Sequence, residues 1–284
     1  MKSPAFEYMR AESIADAMTA YAEADGDAVY LSGGHSVVPS LALRLQAPAL
    51  MVDLSEIPTL SGISLEGEWL RIGAMTRHVQ AITDPLINKY APLFSAAAPY
   101  VAHPAIRNRG TLGGSLAHAD PASEFPAVAV AIRAELEIAS PTGIRRVPAD
   151  EFFLDIYETA IAPGEILQAI YIPVPVAGQV IGFDEIARRR GDYAMVGAAV
   201  QAVMTDSIVT DMSISLFSVG DRPTRAESAE LALQGRVVDK ASIAAAQAAI
   251  SDDLSPTDDP QFPACMRVHL ARVLLRTYYG TTCA

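Results

Sequence analysis

Apolar positions near the N-terminus of the chain switch between two periods. Ser13 to Ala24 repeats at helical spacing with Glu12 or Ser13 near its start, whereas Ala28 to Leu31 is a short apolar run that predicts a strand. Ser36 to Leu45 returns to the helical period. Ser36 is the expected N-cap, and Pro39 falls in the first turn, where its missing N–H is harmless. "LMVDLS", Leu50 to Ser55, predicts a second strand and closes a compact βαβ unit. From Ile57 to Arg77 the pattern shortens to strands such as Trp69 to Ile72, and His78 to Thr83 and Pro92 to Val101 read as helices. A further helix is expected from Asp120-Pro121 through "ASEFPAVAVAI", with Pro126 either kinking it or forcing a late start. "AELEIAS", the turn "PTG" and "IRRVP" form a hairpin, and "EILQAIYIPVP" is another strand.

"PVPVAGQ", Pro173 to Gln179, carries prolines and a glycine but no charge and reads as a linker. Beyond it the spacing predicts strands at Val180 to Ala187, Ala194 to Met204 and Met212 to Val219. Helices follow at Ala226 to Leu233, Ser242 to Ile250 and Phe262 to Tyr279. The last is expected to bury Met266, Leu270, Val273 and Leu274. Strands followed by helices imply an α+β C-terminal domain with a three-stranded sheet. The expected division is residues 1–176, with subdomains of about 1–57 and 58–176, and residues 177–284.

Two short segments break these periods with bare backbone. Ser32-Gly33-Gly34-His35-Ser36 lies between a strand and a helix, with Val37 the first apolar residue after it; Thr111-Leu112-Gly113-Gly114-Ser115 lies further on. Paired glycines permit positive φ and close approach, successive amides can form an anion nest, and the first segment also precedes a helix N-terminus. Two such bends meeting in space would clamp a diphosphate without lysines. A Gly-Gly between strand and helix is more often only a tight turn. No G-x-G-x-x-G fingerprint is present, although Asp53 lies about where the ribose-binding acid of a Rossmann unit would be.

Other polar residues cluster around these bends. His103 and His118 flank the second and, with His35, invite a metal reading, but no carboxylate spacing supports it. Asp120 reads as a helix cap, Glu124 as a first-turn acid able to reach a sugar hydroxyl, and Tyr193 as an aromatic in the basic stretch "RRRGDYA". No Ser-His-Asp or Cys-His nucleophile arrangement is visible.

Composition narrows the function classes. A net charge of -12 over 284 residues argues against nucleic acid and anionic membrane partners. Cys265 and Cys283 lack metal-ligand spacing, so no zinc site or iron–sulfur cluster is expected on this chain. No export signal or transmembrane run is apparent, which predicts a cytoplasmic protein.

"SGGHSVVPSLALRL...LMVDLSEI", "HPAIRNRGTLGGSLAHADPASEFPA" and "RRRGDYAMVGAA", in that order, resemble the FAD-binding medium subunits of molybdenum hydroxylases, the carbon monoxide dehydrogenase and xanthine dehydrogenase family. The resemblance runs over nearly the whole chain. It implies a PCMH-type FAD-binding domain of two α/β subdomains followed by a C-terminal α+β domain. It implies that Ser32, Gly33, Gly34, His35, Ser36 and Val37, with Thr111, Gly113, Gly114 and Ser115, hold the FAD pyrophosphate, and that Val101, Glu124, Leu167 and Tyr193 lie against the cofactor. By the same resemblance, [2Fe-2S] clusters sit on a small partner chain and the molybdenum cofactor on a large one, in a dimer of heterotrimers. Electrons would pass through FAD to an external acceptor, with no residue here acting on the organic substrate. Ser32 replaces the family's frequent alanine. Asp184 and Glu185 stand where many relatives carry a lysine, which leaves the flavin potential and the acceptor open. Alternative readings are a stand-alone PCMH-type flavin oxidase or reductase and a scaffold that has lost its cofactor.

Overall fold

The computed structural model describes residues 2–260 and 262–282, with residues 277–282 described by backbone alone. Strands β1 (Glu7–Arg10), β2 (Ala28–Leu31) and β3 (Leu50–Asp53) form a parallel sheet in the order β1-β3-β2. Arg10 and Leu31 both pair with Asp53, so the three strands end at one level. The helix Ile14–Glu23 connects β1 to β2, and its N-cap Ser13 accepts the Asp16 amide at 3.1 Å. The helix Val37–Leu43 makes the expected crossover, but Ser36 is in the αR region and its side chain makes no capping bond. That hydroxyl is left facing a cleft at the carboxyl ends of the strands, where open α/β sheets present their ligand sites.

The second layer is an antiparallel sheet of β4 (Ile63–Glu66), β5 (Trp69–Gly73), β6 (Glu135–Ser140), β7 (Gly143–Pro148) and β10 (Ile166–Pro173), in the order β4-β5-β10-β6-β7. A ribbon of β8 (Phe153–Asp155) and β9 (Glu158–Thr159) projects beside it. Helices pack over the sheet around Phe94, Phe125, Phe152 and Phe153, all fully buried. The helix containing Pro126 starts late, at Glu124, which leaves the proline in the first turn, where an N–H has no intrahelical acceptor. Asp120 therefore does not cap it; its carboxylate accepts the Ala122 amide at 2.9 Å in the preceding turn.

The third sheet is antiparallel, β11 (Gln179–Ile186), β12 (Val196–Thr205), β13 (Ile208–Phe217) and β14 (Thr224–Arg225), paired in chain order. Two details correct the sequence reading. The sheet gains a short fourth strand, and β13 starts at Ile208 because Asp206 and Ser207 (φ 50° and 66°) make a two-residue turn of primed type without a glycine. Alternation divides β12 between two cores: Ala199 packs with Phe94 and Phe125 of the second layer, while Val196, Ala198 and Val200 face the C-terminal helices. Those helices are Glu227–Leu233, Lys240–Asp253 and Ala264–Thr282. On the last, Ala271, Leu274 and Leu275 are the buried stripe, whereas Met266 is 37% exposed, contrary to expectation. Cys265 is a free, exposed thiol, and Cys283 lies outside the described residues. Among the described residues no helix is long and apolar enough to cross a membrane.

Arg133 ties the second layer to the third through two hydrogen bonds to Asp211 (2.6 and 2.7 Å) and one to the Met212 carbonyl (3.2 Å). Both side chains are nearly half exposed, so Arg133→Ala is expected to cost only about 0.5–1 kcal/mol in denaturant unfolding. A larger loss would mean that the pair organises the interface.

Candidate functional site

The two glycine bends meet. Gly33 is buried directly against the second segment: a β-carbon there would lie 2.6 Å from the Arg109 carbonyl oxygen and 2.8 Å from Gly110 Cα. Ser32 Oγ and Thr111 Oγ1 share a hydrogen bond of 2.6 Å. Gly34 has φ +78°, which a side chain rarely adopts, so this bend needs one glycine for conformation and the other for contact. Gly113 is likewise a contact glycine, since a β-carbon would lie 2.4 Å from Ala74 Cβ. At Gly114 the added carbon would meet Thr111 Oγ1 at 2.7 Å.

The bends differ in what they leave free. In the second, the amides of Leu112 and Gly113 donate to the Thr76 and Ala74 carbonyls (2.8 and 2.9 Å). Those of Gly114 and Ser115 donate to Thr111 Oγ1 and the Thr111 carbonyl, both at 3.0 Å. In the first, the amides of residues 33–37 have no acceptor among the described residues. Backbone donors for an anion are therefore concentrated in the first bend, a difference the matching glycine pairs conceal.

Around the bends lies a cleft of about 760 Å³, toward the large end of the roughly 300–1,000 Å³ usual for small-molecule sites. All the residues expected at a site line it: Ser32 to Val37, Val101, Thr111, Gly113, Gly114, Ser115, Glu124, Leu167 and Tyr193. Val101 and Leu167 are buried in its wall, and Tyr193 stands at its edge, 72% exposed. Asp53 is absent from the lining: it accepts from the Tyr8 hydroxyl (2.5 Å) and the Ser55 amide (2.8 Å) and lies 3.8 Å from Arg10. The Rossmann assignment of that acid fails for this reason. His35 and His118 line the cleft but His103 does not, and the described residues hold no metal-ligating cluster.

Residues 4–175 match the family model described as the FAD-binding domain in molybdopterin dehydrogenase. The chain belongs to that family. Residues 182–282 match the C-terminal domain of carbon monoxide dehydrogenase flavoproteins. The carbon monoxide dehydrogenase medium chain of Afipia carboxidovorans is 38% identical over 95% of this chain and 94% of its own length. The nicotine 6-hydroxylase medium subunit of Paenarthrobacter nicotinovorans is 36% identical over 97% and 96%. Among solved structures, carbon monoxide dehydrogenase from Hydrogenophaga pseudoflava, in a form lacking the Mo-pyranopterin moiety, superposes with TM-score 0.95 at 35% identity, covering 98% of this chain and 96% of that one.

The cleft fits the FAD of this family. It joins an anion cradle of free amides to hydroxyls at Ser32, Ser36, Thr111 and Ser115, and continues into an apolar wall with an exposed aromatic ring. Burial pushes the Glu124 carboxyl up to about 7, and the negative charge of Asp120 adds to this. Asp120 also lies beside the Tyr157 and Tyr193 hydroxyls; desolvation first, then this carboxylate, raises both phenols, Tyr193 to about 12.

Several lining residues escaped the sequence reading, and three of them bear on the site's chemistry. Tyr157 stacks near His118 (4.9 Å between centroids) and has φ +56° at the tip of the β8–β9 ribbon. Met75 accepts the Ser32 hydroxyl at its sulfur (3.0 Å). His78 is buried beneath the second bend. Each reaches the cleft through long-range packing; only the turn-like "DIYET" around Tyr157 carries a local signal.

Proposed function

We propose that this chain is the FAD-carrying electron-transfer subunit of a molybdenum hydroxylase. It would take electrons from [2Fe-2S] clusters on a small partner chain and deliver them to an external acceptor. Substrate oxidation would occur at the molybdenum cofactor of a large partner, within a cytoplasmic dimer of heterotrimers. The observation that carries the reading is the meeting of both glycine bends in one cleft with Leu167, Glu124 and Tyr193 in its wall. The family membership and the medium chains among the relatives support it. We divide the roles between residues 1–176, which hold the cofactor, and 177–284, which bring Tyr193 to it.

When bound, the isoalloxazine supplies an electron carrier; the protein's work is to hold and tune it. The free amides of residues 33–37 would donate to the pyrophosphate oxygens, which suits a chain with net charge -12. The Ser32–Thr111 hydroxyl pair would hold the two bends together around the pyrophosphate. Val101 and Leu167 exclude water along one wall, and the Tyr193 ring provides a face for a planar cofactor. Glu124, with its carboxyl pushed up to about 7, gains and loses a proton at the cleft around neutral pH. Relatives named for carbon monoxide and for nicotine align over nearly all of this chain, which supports assigning substrate choice to the partner.

The full-length chain, freed of nucleotide and incubated with FAD, should bind it about one to one and show a protein-bound flavin spectrum. Isolated from its source cells, it should bring along a cluster-bearing and a molybdenum-bearing chain. A protein that takes up no FAD sinks the first statement, and one that purifies alone from those cells sinks the second.

A further inference from the structure

The segment that meets the first bend does not stand by itself. Arg77 and His78 hold three consecutive carbonyls of it. The Arg77 guanidinium donates to the Arg109 carbonyl, the His78 amide donates to the Gly110 carbonyl at 2.9 Å, and His78 Nε2 lies 2.9 Å from the Thr111 carbonyl oxygen. The same three residues face the first bend: Gly33 abuts Arg109 and Gly110, and Thr111 Oγ1 bonds Ser32. The His78 ring is wedged in place. It is 7% exposed, packs edge-on to Phe125 at 4.9 Å, and sits so close to Gly110 that a β-carbon there would lie 2.7 Å from Cε1. A carbonyl only accepts, so Nε2 must carry the hydrogen, and Nδ1, buried without a partner among the described residues, is the bare nitrogen of a neutral ring.

We propose that Arg77 and His78 are positioning residues that fix the spacing of the two glycine bends, and that FAD affinity depends on the neutral, Nε2-protonated form of His78. This rests on the reading that the bends hold FAD. Arg77 does not line the cleft and His78 lines it from beneath the second bend; both are proposed to act through the 109–111 backbone. The ring's surroundings favour the uncharged form. Burial lowers His78 to about 4 against the support of the Thr111 carbonyl, and His35 on the first bend, Arg107 on the helix Pro104–Arg107 and Arg77 add like charge. The helix that packs Phe125 against the ring also carries Glu124, whose carboxyl is itself raised to about 7 and so is about half protonated at neutral pH. The group is neutral in the folded protein until pH approaches 4 but titrates near 6.5 when released, so the arrangement is intact above about 6.5 and weakens as pH falls.

The test uses the full chain, with FAD as the probe. His78→Gln can still donate to the Thr111 carbonyl and cannot become charged; His78→Leu cannot donate. His78→Leu is expected to weaken FAD binding about tenfold by flavin fluorescence titration, and His78→Gln by less than about threefold. On acidification from pH 7 to 4 the wild type should release FAD at a higher pH than His78→Gln. Amide hydrogen exchange of the flavin-free protein should quicken at residues 32–36 and 109–115 in His78→Leu alone. Nitrogen-15 shifts of the wild-type imidazole should report a neutral Nε2–H ring from pH 5 to 8. Equal affinity and exchange in all three proteins overturns the proposal, as does a doubly protonated ring at pH 7. If His78→Leu does not fold, the nitrogen shifts and the acid release of the Gln variant decide. A wild type that binds no FAD strikes the functional reading, while the exchange and nitrogen measurements still judge the clamp.

Discussion

Gly33→Ala is expected to reduce FAD affinity by about 10–100-fold while the chain still folds. The added methyl group would meet backbone atoms: the Arg109 carbonyl oxygen at 2.6 Å, Gly110 Cα at 2.8 Å and the Arg109 carbonyl carbon at 3.2 Å. None is the end of a flexible side chain. The segment cannot withdraw without breaking the donations from Arg77 and His78 to the Arg109 and Gly110 carbonyls. The bends must therefore separate, stretching the 2.6 Å Ser32–Thr111 hydroxyl pair. Overpacking of this kind costs about 1–3 kcal/mol, which maps onto the stated range if it falls mainly on the bound geometry. Gly34→Ala is the control. Its β-carbon would have ordinary contacts, 3.4 Å to Leu31 and Val38, but at φ +78° it strains the bend by about 1 kcal/mol. Flavin fluorescence titration should rank wild type, Gly34→Ala and Gly33→Ala in falling affinity. If the two variants are equal, Gly33 serves only the turn and the bends are not held by contact.

These two glycines also show how far the sequence could be read. Strand–turn–helix order, the hairpin of β6 and β7 and the late start forced by Pro126 follow from local chemistry, and the structure has them all. Every residue expected at the site lines one cleft: the bends and the "RRRGDYA" stretch are marked by distinctive local residues, whereas Val101 and Leu167 are placed there by the family resemblance alone. What stayed hidden is non-local. Matching Gly-Gly pairs conceal that one bend's amides are free and the other's are consumed by Thr76, Ala74 and Thr111. Arg77 and His78 look like the first residues of an ordinary short helix, and only the arrival of residues 109–111 gives them their partners. Asp53 misled for the same reason, since its partner Tyr8 lies 45 positions away. On the last helix Leu274 is buried as expected, with Ala271 and Leu275 beside it, but Met266, on the same expected stripe, is 37% exposed.

Glu185 supplies the second large effect: thermal stability should fall as pH rises from 6 to 9, and Glu185→Gln should remove much of that fall. The residue lies on β11 opposite Gly197, and its Oε2 is buried with no hydrogen-bond partner among the described residues. Desolvation, then the negative charges of Glu124 and Asp184, push its carboxyl up to about 8, and Glu124 itself rises to about 7. Released from the fold, both titrate near 4.5. The folded state therefore binds more protons than the unfolded state between these values. Its stability is complete below about 4.5 and is lost as pH climbs through 7 to 8. Each pH unit of this linkage is worth at most about 1.4 kcal/mol per group. Discounted for partial solvent contact, the Glu185 share is about 2 kcal/mol, or roughly 5 °C in Tm. A glutamine keeps the shape without the proton, so the variant should match the wild type near pH 5 and exceed it near pH 9. Its slope should keep a remainder from Glu124, which Glu124→Gln in the same background should flatten. Stability that rises with pH over this range, or a Glu185→Gln curve parallel to the wild type, would show that Glu185 is ionised at neutral pH and that a partner absent from this chain compensates its charge.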